Sequence, residues 1–187
     1  RFYEINPAVV DLAQGDAAMF TYLKESRASV QVVLGDARIS LERELARGES
    51  QRLDVLALDA FNSDSIPIHL LTREAFAVYL AHLAADGILA IHISNRYLDL
   101  EPMVARLAAH FGLAAVIIQA NSSDREWTSI WMLLARSVDV LPPDALRART
   151  ADNAAPLWTD DYSNILPALT LARSESEPAG GEGLPAP

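Results

Sequence analysis

Acidic side chains stand at the ends of three successive strand-like segments. Glu4, Asp36 and Asp59 end or directly follow the segments RFYEI, SVQVVLG and LDVLALD. In an open parallel sheet, ligands bind just beyond the carboxyl ends of the strands, so we expect these three carboxylates at one edge of the sheet. One carboxylate can accept hydrogen bonds from both hydroxyls of a ribose, and another can accept from an exocyclic amine. The alternative is that each acid only caps the next helix, because Asp is a favoured N-cap residue.

Further polar residues follow Asp59 and recur near the carboxyl-terminal end of the chain. The candidates for contact with a cationic amine are Asn62 and Asp64 in AFNSDSIP, and Asp160, Asp161 and Tyr162 in WTDDYSN. Polar and aromatic loops of this kind often carry function. The alternative is a set of turn caps with solvated carboxylates.

The histidines are interpreted according to their positions. His69 lies close to the proposed site, just before a predicted helix, whereas His92 lies inside an apolar strand and is interpreted as a core residue. The chain has no cysteine, and no His/Asp cluster has the spacing of a ligand set. We therefore expect no metal site.

The elements that must position these residues alternate between strand and helix. The predicted helices are PAVVDLAQ, ARISLERELARG, TREAFAVYLAHLAADG and LEPMVARLAAHFG. The later predicted strands are ILAIHIS, LAAVIIQA and TSIWMLLAR. LDVLALD is a continuous apolar run, which is typical of a strand buried on both faces. The alternation predicts an α/β fold, a Rossmann-like, doubly wound and mostly parallel sheet. Residues 140–156 are predicted as a loop with one short helix.

The composition limits the class of protein. The chain has 187 residues, 51% of them hydrophobic, and a net charge of -10, which argues against nucleic acid and is compatible with a cationic ligand such as a polyamine. No apolar run approaches the roughly 20 residues of a transmembrane helix, and no signal peptide is visible. We predict one domain over residues 1–172 and a disordered Pro/Gly/Glu-rich tail over residues 173–187.

A glycine-rich phosphate or cofactor turn is missing from the sequence. No G-x-G-x-x-G pattern occurs, and the chain opens directly with RFYEINP. We interpret it as a domain that lacks its first strand and glycine loop because it was cut from a longer protein.

The motifs YEINP, LGDAR, LDVLALDAFNSDSIP and WTDDYSN, taken in this order, resemble those of the spermidine synthase-like family of polyamine aminopropyltransferases. The resemblance covers roughly residues 1–166. It is closest to the bacterial branch in which such a domain is fused to a membrane transporter-like segment. The family has the class I S-adenosylmethionine methyltransferase fold, so the resemblance implies that fold here.

The resemblance also implies roles for the acidic residues. Glu4 would hold the ribose hydroxyls of decarboxylated S-adenosylmethionine, and Asp36 would contact the adenine amine with Ala37 beside the ring. Asp59 matches the first aspartate of the family's D-x-x-D-P loop, next to the sulfonium and the incoming amine.

The second aspartate of that loop is matched less closely. Its place falls on Asn62, or on Asp64 if two residues are inserted. The attacking amine must lose a proton, and a carboxylate is the usual acceptor. Asp64 is therefore the candidate base, while Asn62 is a candidate substrate contact.

Three functions remain open from the sequence. The leading hypothesis is aminopropyl transfer to an amine such as putrescine, and the second is a methyltransferase that uses S-adenosylmethionine itself. The third is a non-catalytic nucleoside-binding module. The first hypothesis implies a small-molecule amine partner and a cytoplasmic domain, one that could also be the cytosolic part of a membrane protein, and it is compatible with a homodimer.

Overall fold

Largely apolar runs form the longer strands of this protein in a computed structural model. The structure describes residues 1–15, 18–60, 67–95, 97–121, 128–148 and 155–169. The strands in these ranges are β1 (Phe2–Glu4), β2 (Val32–Leu34), β3 (Leu53–Leu58), β4 (Leu83–His92), β5 (Ala114–Asn121), β6 (Thr128–Ala135) and β7 (Leu146–Arg147). The predicted tail, residues 173–187, lies outside the described residues.

Side-chain caps mark the start of three of the described helices. The helices are α1 (Pro7–Gln14), α2 (Tyr22–Glu25), α3 (Ala37–Ala46), α4 (Arg73–His82) and α5 (Glu101–His110). The side chains of Asn6, Asp36 and Thr72 accept hydrogen bonds from backbone amides in the first turns of α1, α3 and α4. Single 3-10 turns add Ile68–Leu70, Val138–Val140 and Leu166–Ala168.

The strands form two sheets in the described part of the chain. β1 and β2 make a parallel pair, and the second sheet has the order β3-β4-β6-β5-β7. The predicted α/β alternation is confirmed, but the second sheet is mixed: only β3 and β4 are parallel in it, and β6 runs antiparallel to both of its neighbours. The connection between β5 and β6, residues 122–127, is shorter than the dozen or more residues that a parallel crossover needs.

Strand β3 differs from the sequence prediction in its burial. Leu56 and Leu58 are buried, but Asp54, Val55 and Ala57 are exposed. β3 is an edge strand of the described sheet, and its buried residues face the main core cluster on one side only. It therefore alternates like a strand with one solvated face.

Two other boundaries differ from the prediction. Helix α4 ends at His82, and β4 begins directly at Leu83, five residues before the predicted strand. Within the segment predicted as a loop with one short helix, the described residues 140–148 include the two-residue strand β7, which was not predicted. Residues 149–154 lie outside the described residues.

The main core lies between the five-stranded sheet and helices α4 and α5. Phe76, Tyr79, Met132 and Leu134 are fully buried there. The carboxyl-terminal loop joins this core through Trp158, which is 1% exposed and accepts a hydrogen bond from the Arg73 amide at the start of α4. The packing thus anchors the loop against α4. None of the described helices combines the length and apolar character needed to cross a membrane.

Candidate nucleoside and amine site

The carboxyl ends of β1 and β3 and the turn after β2 open onto one cavity of about 560 Å³. Its lining includes Glu4 from β1, Asp36 and Ala37 from the start of α3, Asp59 after β3, and His69. Strand ends converge here because β1 and β2 are parallel and β3 delivers its own carboxyl end to the same side. The three acids expected at one sheet edge therefore share one cavity.

Glu4 is held by the turn that follows β1. Its Oε1 accepts a hydrogen bond from the Asn6 amide at 2.7 Å, and its backbone carbonyl accepts from the Gly35 amide at 2.8 Å. The second carboxylate oxygen of Glu4 accepts no hydrogen bond from the described residues. That oxygen is available to a ligand in the cavity.

Asp36 combines the two roles that the sequence left as alternatives. Its Oδ1 caps α3 by accepting from the Ile39 amide at 2.9 Å, and its Oδ2 lies 3.0 Å from His69 Nε2. Burial alone would raise the pKa of Asp36, but these hydrogen bonds outweigh it and hold the pKa below its ordinary value. Asp36 is thus a capping residue whose carboxylate also borders the cavity.

Asp59 forms a hydrogen-bonded chain with His92, the last residue of β4, and Ser94, which follows that strand. Its Oδ1 lies 2.7 Å from His92 Nδ1, and His92 Nε2 lies 2.9 Å from Ser94 Oγ. The interpretation of His92 as a core residue is therefore corrected. The parallel register pairs Leu58 with Ile91, which brings the next residues of both strands together. The sequence shows only that Asp59 and His92 both stand at the ends of apolar runs, and the register that pairs them comes from the fold.

Asp160 has a different partner from the amine expected for it. Its carboxylate accepts two hydrogen bonds from the Arg38 guanidinium and one from the Thr72 hydroxyl. The hydrogen bonds from Arg38 lower the pKa of Asp160 to about 2. A carboxylate bound in this way connects the carboxyl-terminal loop to α3, which leaves little capacity for a ligand.

The remaining amine candidates are placed only in part. Asp161 and Tyr162 are exposed, in a turn closed by the Thr159 amide and the Tyr162 carbonyl, and neither is among the described residues that line the cavity. Asn62 and Asp64 lie outside the described residues. Among the residues that the structure does describe, no group of three or more acids and histidines has an arrangement that could hold a metal ion.

A larger cavity of about 830 Å³ lies against β5 and the segment after the 3-10 turn at residues 138–140. Its described lining is apolar except for Asp139, with Val116, Leu141 and Pro142 among the residues that form it. A single acid beside proline and alanine offers little to recognise a nucleoside or an amine. The smaller cavity with its acids is therefore the better candidate site.

No protein-family model matches the chain. Over 86 residues, which make up 46% of this chain and 26% of the relative, the sequence is 36% identical to a polyamine aminopropyltransferase of Vibrio vulnificus. The chain thus spans about a quarter of the length of this curated relative.

Two solved structures share the fold. A probable spermidine synthase from Corynebacterium glutamicum matches with a TM-score of 0.50 and 19% identity, over 71% of this chain and 45% of that one. The spermidine synthase of Thermotoga maritima matches with a TM-score of 0.54 and 12% identity, over 91% of this chain and 56% of that one. The chain thus has the fold of the spermidine synthases.

Proposed function

We propose that this chain is the nucleoside-binding and catalytic domain of an aminopropyltransferase. The observation that carries the proposal is the convergence of Glu4, Asp36 and Asp59 on one cavity. A cavity of about 560 Å³ lies within the range of small-molecule sites. The similarity to a polyamine aminopropyltransferase and to two spermidine synthase structures supports the same reaction class.

The nucleoside of decarboxylated S-adenosylmethionine would be held by Glu4 and Asp36. Glu4 would accept from the ribose hydroxyls through the carboxylate oxygen that no described residue uses. Asp36 would accept from the adenine amine, because a carboxylate has about four lone-pair sites and the described contacts use one on each oxygen. Ala37 leaves room for the ring beside it.

The transfer itself is a displacement at the carbon that joins the aminopropyl group to sulfur. The lone pair of the attacking amine forms the new N–C bond while the C–S bond breaks, and that electron pair stays on sulfur. Sulfur thereby loses its positive charge, and methylthioadenosine leaves. The proton released from the attacking nitrogen passes to a carboxylate. Asp59 is the candidate acceptor among the described residues, and Asp64 remains the second candidate.

The finer parts of the proposal concern the amine and the parent protein. The net charge of -10 and the three acids that line the cavity favour a cationic amine such as putrescine, with Asn62, Asp161 and Tyr162 as further proposed contacts. The order of the sequence motifs supports the branch fused to a membrane transporter-like segment and, through that branch, a cytosolic position of this domain. A homodimer is compatible with the proposed function. Translation of the complete reading frame tests the branch, and light scattering tests the dimer.

Calorimetry on the full-length protein with three ligands tests the proposal. Decarboxylated S-adenosylmethionine, S-adenosylmethionine and methylthioadenosine are titrated into the wild type, Asp36→Asn and Asp54→Asn. Asn keeps the cap on α3 but removes the charge at the cavity. Asp54 is exposed on β3 outside the described lining, so Asp54→Asn is the matched control.

The outcomes separate the candidate functions. Preference for the decarboxylated ligand, weakened by Asp36→Asn and unchanged by Asp54→Asn, supports aminopropyl transfer, and release of methylthioadenosine with putrescine completes the case. Preference for S-adenosylmethionine favours a methyltransferase. Binding of methylthioadenosine without turnover of any amine favours a non-catalytic module, and absence of all binding overturns the proposal.

A further inference from the structure

The carboxylate of Asp59 is tied to the end of β4 through an imidazole. Its Oδ1 lies 2.7 Å from His92 Nδ1, and the other ring nitrogen of His92 lies 2.9 Å from Ser94 Oγ. The Asp59 side chain is 56% exposed and lines the cavity, whereas the His92 side chain is 20% exposed and lies behind it. The acid therefore faces a ligand, and the ring faces the acid.

The chemistry of the partners fixes the tautomer of His92. An ionised carboxylate can only accept hydrogen bonds, so Nδ1 must carry the hydrogen that Asp59 receives. In the neutral ring Nε2 is then an acceptor for the hydroxyl of Ser94. His82 has the opposite arrangement, because its Nδ1 accepts from the Gln51 amide and its Nε2 donates to the Leu41 carbonyl.

The ring of His92 is itself held by β6. It stacks on Trp131 with 4.9 Å between ring centroids and an angle of 17° between the planes. Ser94 Oγ accepts a hydrogen bond from the Ile130 amide at 2.6 Å. The imidazole is thus oriented by contacts on both β4 and β6, and it can transmit that orientation to Asp59. Asp59 is the carboxylate paired with it.

We propose that His92 is a positioning residue for Asp59, which it orients toward the amine that attacks the aminopropyl carbon. The inference rests on the proposed function for this chemistry. With Oδ1 bound to His92, the other oxygen of Asp59 accepts no hydrogen bond from the described residues and is directed to the amine. That oxygen receives the proton released when the N–C bond forms and the C–S bond breaks. Because orientation determines whether a carboxylate is in line with the departing proton, the effect appears in kcat.

Nuclear magnetic resonance tests the hydrogen bond between His92 and Asp59, called the relay below, without any turnover. Nitrogen-15 shifts of the imidazoles distinguish protonated from unprotonated ring nitrogens, and His82 serves as the internal example of the opposite tautomer. We expect His92 as the Nδ1–H form in the wild type and a change of its Nδ1 signal in Asp59→Asn. An Nε2–H form of neutral His92, or a signal that does not respond to Asp59→Asn, overturns the inference whatever the enzyme activity shows.

Two substitutions separate positioning from packing. His92→Asn keeps a donor near the position of Nδ1 but loses the ring, whereas His92→Phe keeps a ring to stack on Trp131 but loses the donor. If His92 positions Asp59, kcat should fall by about tenfold to a hundredfold in His92→Phe, because a hydrogen bond to a charged group is lost. In His92→Asn most of kcat should be kept. The KM for the nucleoside should be unchanged in both variants. The reverse order of kcat shows that the ring only packs.

Failure of the proposed function gives a different result from failure of this inference. If the wild type releases no methylthioadenosine but shows the Nδ1–H form that responds to Asp59→Asn, the relay stands and aminopropyl transfer is overturned. If turnover is normal and His92→Phe matches the wild type, aminopropyl transfer stands and the positioning role is overturned.

Discussion

Arg38 and Asp160 form a two-point ion pair although 122 residues separate them in the chain. The guanidinium donates from Nη1 at 2.7 Å and from Nη2 at 2.5 Å to the two carboxylate oxygens. Arg38 also donates to the His69 carbonyl at 2.8 Å, and the Thr72 hydroxyl donates to Asp160 at 2.8 Å. One cation therefore joins α3, the segment that carries His69, the start of α4 and the carboxyl-terminal loop.

This pair predicts a stability that depends on acid pH. The pKa of Asp160 is lowered to about 2 in the folded state by the hydrogen bonds from Arg38. A lowered folded pKa gives stability that is present above the ordinary carboxyl pKa and is lost as pH falls toward about 2. Asp160→Asn should therefore be less stable at pH 7, by about 1 kcal/mol because the 41% exposed side chain is screened by solvent, and the difference should shrink between pH 4 and about 2.

Urea unfolding at several pH values measures this difference. Asp161→Asn is the matched control, since Asp161 is adjacent and exposed. It should follow the wild type within about 0.5 kcal/mol at every pH. An Asp160→Asn variant that differs from the wild type equally at pH 7 and pH 2.5 would contradict the assignment.

Glu4→Gln should weaken nucleoside binding, because the side chain loses its charge and one of its two acceptor oxygens, while the Asn6 amide still occupies one acceptor. The expected rise in the Kd of methylthioadenosine is about tenfold to a hundredfold, the value of hydrogen bonds to a charged group. The wild type should bind the 2′-deoxy form of methylthioadenosine more weakly than methylthioadenosine itself. Glu4→Gln should bind the two ligands with nearly equal affinity. Glu25→Gln on the exposed helix α2 is the control. Equal losses for both ligands in Glu4→Gln would show that the carboxylate does not contact the ribose.

The acids at the strand ends were predictable because the sequence carries both the apolar runs and the residues that end them. Glu4 and Asp59 follow this rule directly. The partner of Asp160 could not be predicted in this way, because Arg38 lies on a helix that only the folded chain brings near. The separation of β1 from β3 into different sheets was also beyond the pattern, since periodicity reports which face is apolar and not which strands pair. Tertiary pairing therefore decided what the local signals could not.

The backbone at Gly35 predicts that substitution there affects ligand binding, whereas substitution of Gly48 does not. Gly35 has a φ of +140° and lies between β2 and Asp36, and a Cβ there would meet only Ser40 Oγ at 3.5 Å. The cost of Gly35→Ala is thus conformational, about 1–3 kcal/mol. Gly48, with a φ of +77°, is a helix-end residue where Ala costs about 1 kcal/mol.

Ligand binding separates these two variants more sharply than stability. The Gly35 amide donates to the Glu4 carbonyl, so a shift of this backbone moves both Glu4 and Asp36. Gly35→Ala should weaken the binding of methylthioadenosine, whereas Gly48→Ala should leave it unchanged. Calorimetry under conditions where both variants are folded makes the comparison. Equal binding in both would show that the turn after β2 does not position the two acids.

His82 predicts a large loss of stability on substitution by an apolar residue. Its ring is fully buried, its Nδ1 accepts from the Gln51 amide at 3.1 Å, and its Nε2 donates to the Leu41 carbonyl at 3.0 Å. In His82→Leu the Gln51 amide loses its acceptor, whereas the Leu41 carbonyl keeps its hydrogen bond within α3. We expect a loss of about 1–3 kcal/mol in the free energy of unfolding, the cost of one buried donor left without a partner. His110→Leu, at the exposed end of α5, is the control and should change stability by about 0.5 kcal/mol or less. His82→Gln, which offers both a donor and an acceptor, should be more stable than His82→Leu. A His82→Leu variant as stable as His82→Gln would show that the ring contributes only volume.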